Sequence, residues 1–567
     1  MIMRAMVFAI VVFTTLLTLT AQEGTAQEGT AQEGNQHRHE PQEKASTKLG
    51  RVNFRTSCSN KAQPQFNQAV AWLHSFEYEE AEKVFNQVSL IDPRCGMAYW
   101  GIAMSNFHPL WMPPTPAELQ KGSDAAAQAT RIGAATQRER DYIAAISTFY
   151  KDAGQVDHRT RTFAYSDAMK KLYETNRTDD EAAVFYALSL ITTGTMTPDK
   201  TYAKEKEAAE ILNRILARQP RHPGVAHYLI HGYDFPALAH LALPAARSYA
   251  AIAPASAHAQ HMPSHIFIRL GLWQQAINSN LDAEAAAKAF ALRHHMPGAW
   301  DEQLHAMDYL AYAYLQLAQD KKALGVLQDM NKLPQVDPPT FKVAYALSAI
   351  PARYALERRQ WSEAVKLPLD HPRMTTFPWA KFPWATAHVH FARAIGAARL
   401  GDVDSARKAV DELASIHNSL SQVRGDYDWA RQVDIERQVA SAWVKYAEGA
   451  HEEALRLMRA AADLDDVTDK HPVTPGAVLP AREQLGELLL ELKQPAPALE
   501  AFETALRTTP NRFNTVYGAA RAATLSNKRQ KAVDYYQKLV ALSRSADSFR
   551  PEVKEAKEFL AQAGAAR

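Results

Sequence analysis

The chain has 567 residues, of which 47% are hydrophobic and 22% charged, and its 64 Lys and Arg residues nearly balance its 62 Asp and Glu residues. This composition excludes disorder for most of the chain, and the net charge of +2 argues against a protein that neutralises nucleic-acid phosphates. The low glycine count of 23 favours helix, and the common phosphate-loop, dinucleotide, nucleophile-elbow and zinc-protease motifs are absent from the sequence.

The first predicted element is a secretory signal peptide over residues 1–21. Arg4 precedes an apolar run that ends near Leu19 and is followed by small residues, which is the order found in secretory signals. The run is too short to span a bilayer comfortably, so we predict cleavage rather than an uncleaved anchor. The chain is then exported, periplasmic or secreted, with no membrane span after signal cleavage.

Residues 22–57 are predicted to be a low-complexity linker. The sequence TAQEG occurs three times in tandem over residues 20–34, and the polar stretch that follows runs to Gly50. Such a segment contains too few apolar residues to bury a core.

Cys58 and Cys95 are the two cysteines of the chain. Two cysteines in an exported protein most often pair, so we predict a disulfide between them. Free thiols and metal ligands are the alternatives that the sequence leaves open.

A repeated pattern of small and aromatic residues covers most of residues 60–545. Ala498, Phe502, Ala505 and Pro510 form the clearest copy, at the end of a predicted helix. The small residue of this frame recurs at intervals of 34 residues in the middle and near the end of the chain, and at wider intervals between. Its positions are Ala81, Ala208, Ala242, Ala276, Ala323, Ala364, Ala406, Ala454, Ala498 and Ala532.

This pattern resembles the tetratricopeptide repeat (TPR) family. The resemblance implies an all-α fold, a TPR-like α-solenoid of antiparallel helix pairs, in which small residues let helices cross closely and stacking creates one continuous core. It also implies a concave groove, lined by the first helix of each pair, that binds a protein or peptide. The predicted regions are N-terminal helical repeats (58–200), histidine-rich repeats (201–330), divergent helical repeats (331–475) and C-terminal repeats (476–567).

Histidines occupy equivalent positions in two adjacent repeats. In the 34-residue frame, His227 and His261 are each the fifth residue of a unit, and His231 and His265 are each the ninth. A spacing of four residues places both imidazoles of a unit on one helical face, and the resemblance places that face in the groove. Three further side chains extend the same stripe: His258, His305 and Asp308. His388 also falls at a second position of its unit, but two repeats further along.

Four imidazoles on neighbouring helices can converge on one ion. Imidazole suits copper, zinc, iron and nickel, so we predict a transition-metal site, for Cu, Zn or Fe, between adjacent repeats. Asp234, Tyr228 and Arg269 are candidates to support the ligands. A pH-sensitive peptide groove of neutral histidines and a purely structural role remain as alternatives. The predicted metal ligands are His227, His231, His258, His261, His265, His305 and Asp308.

For function, the sequence predicts an exported TPR-type scaffold that binds a protein or peptide and carries this metal site. One alternative is a metal-dependent enzyme, hydrolytic or oxidative, in which Asp308 or a spare histidine acts as a base. The other is a metal storage or delivery protein. The sequence leaves open whether the chain is an enzyme.

Two aromatic features have competing interpretations. Trp100 and Met104 at helical spacing indicate either core packing or an apolar patch in the groove. Trp379 and Trp384 lie in the tandem sequence FPWAKFPWA, which is either a lid over the groove or a packed loop.

Overall fold

The computed structural model describes residues 48–110, 112–197, 199–422, 425 and 427–565, so the predicted signal peptide and most of the predicted linker lie outside the described residues. The described residues belong to one compact unit built almost wholly from α-helices, which confirms the predicted all-α fold. Two short strands, β1 (Ala299–Trp300) and β2 (Val336–Asp337), pair in parallel. Among the helices described, none has the length and apolar character needed to cross a membrane.

Consecutive helices pack on each other in chain order, as expected for antiparallel pairs. The helices of the N-terminal half are α1 (Gln63–His74), α2 (Tyr78–Ile91), α3 (Gly96–Ser105), α4 (Pro116–Ile132), α5 (Gln137–Tyr150), α6 (His158–Thr175), α7 (Asp180–Met196), α8 (Ala203–Leu216), α9 (Pro223–Gly232), α10 (Leu243–Ile252), α11 (Ala257–His261), α12 (Pro263–Arg269) and α13 (Trp273–Arg293).

The C-terminal half continues the same arrangement. Its helices are α14 (Asp301–Gln316), α15 (Asp320–Lys332), α16 (Phe341–Leu356), α17 (Trp361–Val365), α18 (Pro383–Leu400), α19 (Val403–Leu420), α20 (Trp429–Ala447), α21 (His451–Asp466), α22 (Ala481–Glu491), α23 (Pro495–Thr508), α24 (Phe513–Leu525), α25 (Arg529–Leu542) and α26 (Pro551–Ala565). Short 3-10 turns cover Ala239–Ala242, Trp379–Lys381 and Ser543–Ser545.

The alanines of the repeat frame are the points at which helices cross. All ten, from Ala81 to Ala532, are at most 1% exposed. Close approach also explains two glycines: a Cβ added at Gly486 or Gly518 would lie 2.7 or 2.3 Å from the ring of Phe502, which itself belongs to the frame. The predicted stacking of helix pairs through small residues is therefore confirmed.

The predicted disulfide is confirmed. Cys58 and Cys95 are bonded, with their Cα atoms 5.0 Å apart, and no cysteine in the described part of the chain is free. Because Cys95 directly precedes α3, the bond ties the segment before α1 to the start of the second helix pair.

Trp100 and Met104 belong to the hydrophobic core rather than to a groove. Trp100 is 1% exposed, and its ring contacts Phe54 and Tyr142 at centroid distances of 5.4 and 5.6 Å. The hydroxyl of Tyr165 points at the sulfur of Met104. The core interpretation of this pair therefore holds.

The first helices of the later pairs form a closed circuit. Helices α14, α16, α18, α20, α22 and α24 contact one another in that order, and α24 contacts α14. Buried ion pairs join these helices at some points, such as Arg512 with Glu357 and Glu483 at 2.8 and 2.9 Å.

Candidate metal centre

Six histidines from α9, α11, α12 and α14 form two adjacent groups. We name them triad A (His227, His231 and His258) and triad B (His261, His265 and His305). Within each triad, one nitrogen from every imidazole lies within 4.8 Å of the other two. The two triads adjoin each other, since the ring centroids of His231 and His265 are 6.5 Å apart. The predicted histidines are thus brought together, in two sets of three instead of one convergent set.

Local helix geometry positions these side chains. His227 and His231 are one turn apart on α9, and His261 and His265 are one turn apart across the junction of α11 and α12. Pro263 begins α12 and lacks an N–H group, so the helical run is divided there while the spacing is kept. The neighbouring repeat α14 supplies His305.

In triad A, three Nε2 atoms converge. The Nε2 of His227 lies 2.9 Å from that of His231 and 3.1 Å from that of His258. The other ring nitrogen of His227, Nδ1, lies 2.7 Å from the carbonyl oxygen of His74 and must donate to it, because a carbonyl only accepts. In the neutral ring, the Nε2 of His227 therefore presents a lone pair to the other two histidines.

In triad B, hydrogen bonds fix the position of the ring proton on two histidines instead of one. The Nδ1 of His261 donates to the amide oxygen of Asn280 at 2.7 Å, and that amide is oriented because its nitrogen donates to the carbonyl of Ala276. The Nδ1 of His265 donates to the carboxylate of Asp234 at 3.1 Å. Both neutral rings therefore have lone pairs on Nε2, and these two atoms face each other at 3.0 Å. Only a cation between them turns this contact from repulsive to attractive.

Burial favours the neutral form of the imidazoles in both triads. Five of the six rings are buried, at 0 to 7% exposure, and His258 is partly buried. Burial lowers the pKa of each of them below its usual value, to about 3 for His258, and neighbouring imidazoles lower the pKa further for all of them except His265. These shifts favour the neutral ring, which is the form in which an imidazole binds a metal ion.

Asp308 lies apart from both triads. Its carboxylate pairs with the buried guanidinium of Arg353 on α16. The residue of α14 that completes the site is Tyr309, one turn after His305, and its ring lies 4.6 Å from that of His261. Because a step of four residues stays on one helical face better than a step of three, Asp308 is turned away, and we remove it from the proposed ligands.

The three predicted supporting residues have different roles. Asp234 orients His265, and Arg269 in turn donates to Asp234 at 2.8 Å, so these two residues support triad B. Lys470 reaches the same carboxylate at 3.4 Å. Tyr228 contacts His74 instead, at 2.9 Å.

A third group, His74, Glu181 and His222, was missed by the sequence analysis, and its hydrogen bonds are complete. Glu181 accepts from the Nε2 of His74 at 2.9 Å and from that of His222 at 3.0 Å. The remaining nitrogens accept in turn: Nδ1 of His222 from the N–H of Val225, and Nδ1 of His74 from Tyr228. Because each ring nitrogen of the two histidines has a hydrogen-bond partner, this group stabilises the fold. It also holds the carbonyl of His74 against His227.

Replacing Glu181 with Gln should destabilise the chain by about 2 kcal/mol at pH 7, because the amide N–H would face the N–H of a buried histidine. The two histidines lower the pKa of Glu181, so its contribution is present above the unfolded pKa near 4.5 and is lost as the pH falls further. Urea unfolding followed by circular dichroism should show that the difference in unfolding free energy between the variant and the wild type becomes smaller below about pH 4.5.

Glu210→Gln, on the exposed face of α8, is the control and should unfold like the wild type. A Glu181→Gln chain as stable as the wild type at pH 7 would contradict the assigned hydrogen bonds.

Comparisons with known proteins give limited likenesses. No family model and no curated protein matches the chain. Among solved structures, it is similar to a tetratricopeptide repeat protein from Parabacteroides merdae at 11% identity and a TM-score of 0.29, covering 54% of this chain and 97% of that one. It is also similar to a monomeric mutant of IFIT1 with Gppp-AAAA, at 12% identity and a TM-score of 0.36, covering 86% of this chain and 96% of that one. At these values neither likeness carries an argument about function, and the helix pairs seen in the chain itself define its architecture.

Proposed function

We propose that this chain is an exported helical-repeat protein that binds transition-metal ions at two adjacent three-histidine sites, triads A and B. The observation that carries the proposal is the pair of Nε2 lone pairs of His261 and His265, which face each other at 3.0 Å while both Nδ1 atoms are committed to acceptors. A shared proton is disfavoured because burial opposes the charged ring. A metal ion is the remaining cation that fits imidazole nitrogens.

The dimensions support this assignment. Two nitrogens bound to one tetrahedral ion at about 2.0 to 2.1 Å lie about 3.3 Å apart. The separations of 2.9 to 3.1 Å for the pairs His227–His231, His227–His258 and His261–His265 need only a slight expansion to reach that value. Since both cysteines are in the disulfide, the ligands are nitrogen atoms, which favours Cu, Zn or Fe over calcium or magnesium.

The proposal includes the compartment and a partner. A disulfide between Cys58 and Cys95 supports an oxidising, periplasmic or secreted location. Tandem helix pairs offer extended surfaces, so we keep a protein or peptide as the partner of the scaffold.

A metal-dependent enzyme is the second candidate, and the number of ligands favours it. Catalytic zinc sites have three protein ligands and one open position, whereas structural sites have four. Each triad supplies three imidazoles, and His258, which is only partly buried, gives triad A contact with solvent. Storage or delivery of metal would use the same sites without a substrate.

Metal titration of the full chain, purified without a histidine tag and stripped with a chelator, tests the proposal. We expect two ions of Zn²⁺ or Cu⁺ per chain, one for each triad, and X-ray absorption should show nitrogen ligands without sulfur. His371→Gln removes a buried histidine whose ring is already hydrogen-bonded to the backbone, so this control should keep both ions. Uptake of less than one ion per chain by the wild type would overturn the proposal.

A further inference from the structure

A cleft between α18, α20 and the segment after α21 lies outside both triads. It leaves about 30 Å³ of accessible space, so it admits a small polar group rather than a whole small molecule. Its walls come from the first helices of two neighbouring pairs and from residues 470–479.

The polar centre of the cleft is a His388–Glu436 pair. The Nδ1 of His388 donates to Oε1 of Glu436 at 2.8 Å, which leaves Nε2 of the neutral ring as an acceptor. The side chain of His388 is only 8% exposed, and among the described residues its Nε2 has no hydrogen-bond partner. Oε2 of Glu436 is also buried without a partner in the described part of the chain. Two buried acceptors therefore lack donors, which is costly unless a ligand supplies them.

Aromatic rings make up much of the remaining wall. Tyr345 contacts His388 at a centroid distance of 4.9 Å, and Trp429 lies between Trp384 and His471 in a stack. In this stack the ring centroids of Trp429 and Trp384, the second tryptophan of the FPWAKFPWA sequence, are 3.7 Å apart. Trp384 therefore packs behind the wall of the cleft. Aromatic rings beside a carboxylate favour organic cations.

Lys470, a cation that lines the cleft, is engaged elsewhere. Its ammonium group donates to Asp234 at 3.4 Å and to the carbonyl of Pro472 at 3.2 Å, on the side that leads to triad B. A second carboxylate, Asp465, also lines the cleft and accepts from the N–H of Ala481 at 2.9 Å. The cleft thus presents acceptors and negative charge that this lysine leaves uncompensated.

We propose that the cleft binds a cationic nitrogen group, an ammonium or guanidinium, which donates to Nε2 of His388 and Oε2 of Glu436 and packs against the aromatic wall. The group belongs either to a free amine or to a basic side chain of a peptide, because both present the same chemistry. This site is independent of the metal sites proposed above.

Isothermal titration of the full chain with Nα-acetyl-L-arginine amide (arginine amide) tests the proposal, with Nα-acetyl-L-citrulline amide (citrulline amide) as the neutral analogue. We expect arginine amide to bind at least about tenfold more tightly than citrulline amide, because the urea group lacks the charge. Glu436→Gln should remove at least about tenfold of the affinity for arginine amide while keeping the shape of the site. Glu412→Gln, on the exposed face of α19, changes charge equally and should leave binding unchanged.

A tripeptide with a central arginine and blocked ends separates the two sources. Binding of the tripeptide at least as tight as that of arginine amide supports a peptide, and exclusion of the tripeptide supports a free amine. Equal affinity for the arginine and citrulline amides, unchanged binding by Glu436→Gln, or no binding at concentrations on the order of 10 mM would overturn the proposal.

Discussion

A chain that carries His227→Gln and His258→Gln should bind one transition-metal ion where the wild-type chain binds two. Triad A then keeps a single imidazole, too few for stable binding, whereas the three nitrogens of triad B are unchanged. The reciprocal variant, His261→Gln with His305→Gln, should lose the other ion. Metal content after dialysis against a weak chelator measures both outcomes.

The separation of the triads is what this pair of variants tests. Triads A and B approach each other at the rings of His231 and His265. Each triad has its own supports: the carbonyl of His74 for A, and Asn280 with Asp234 for B. Loss of both ions from either double variant would contradict two separate sites and indicate one shared centre.

Circular dichroism of the metal-free variants is the necessary control. The wild type and both double variants should show the same helical signal, because glutamine is a good helix former and keeps a polar group at each position. A variant that loses helix as well as metal would be replaced by the corresponding single substitution, His258→Gln or His305→Gln.

The repeat array was predictable because its signal is local and periodic. Small residues such as Ala208, Ala242 and Ala276 recur every 34 residues, and each must be small for helices to cross. The same frame aligned His227 with His261 and His231 with His265. It therefore indicated which histidines share a face before any contact was known.

The division into two triads was not predictable from that frame. It depends on where α14 lies against α11 and α12, which brings His305 to within 4.1 Å of His261, measured between ring centroids. Counting positions from Ala323 placed Asp308 on the stripe, but the wider spacing between these repeats shifts the register, and Arg353 captures its carboxylate. Repeat periodicity does not encode such shifts.

Contacts between distant segments were also beyond the sequence analysis. His74 supports His227 from 153 residues away through its backbone carbonyl, for which no side-chain pattern exists. His388 did share the repeat frame. Its partner Glu436 lies 48 residues further along the chain, at a position for which the repeat frame predicts no acidic residue. The sequence could have indicated this pair only through a search for acidic residues on the first helix of the next repeat.

Replacing Arg512 with Leu should cost about 3 to 5 kcal/mol of unfolding free energy, because it leaves two buried carboxylates without their cation. Arg512 is fully buried and bonds to Glu483 through both Nε and Nη2, and its Nη2 lies 2.8 Å from Glu357. Its Nη1 also donates to Tyr312 on α14 at 3.1 Å. Urea unfolding followed by circular dichroism would measure the loss.

The matched control is Arg456→Leu, which makes the same change in an exposed pair with Glu453 and should leave the unfolding midpoint unchanged. With Arg512 absent, the neighbouring carboxylates favour their protonated forms in the folded state. The loss of unfolding free energy caused by Arg512→Leu should therefore become smaller as the pH falls from 7 toward the unfolded carboxyl pKa near 4.5. An Arg512→Leu chain that unfolds like the wild type, or a deficit that does not change with pH, would show that closure of the helix circuit at α14 and α24 does not depend on this ion pair.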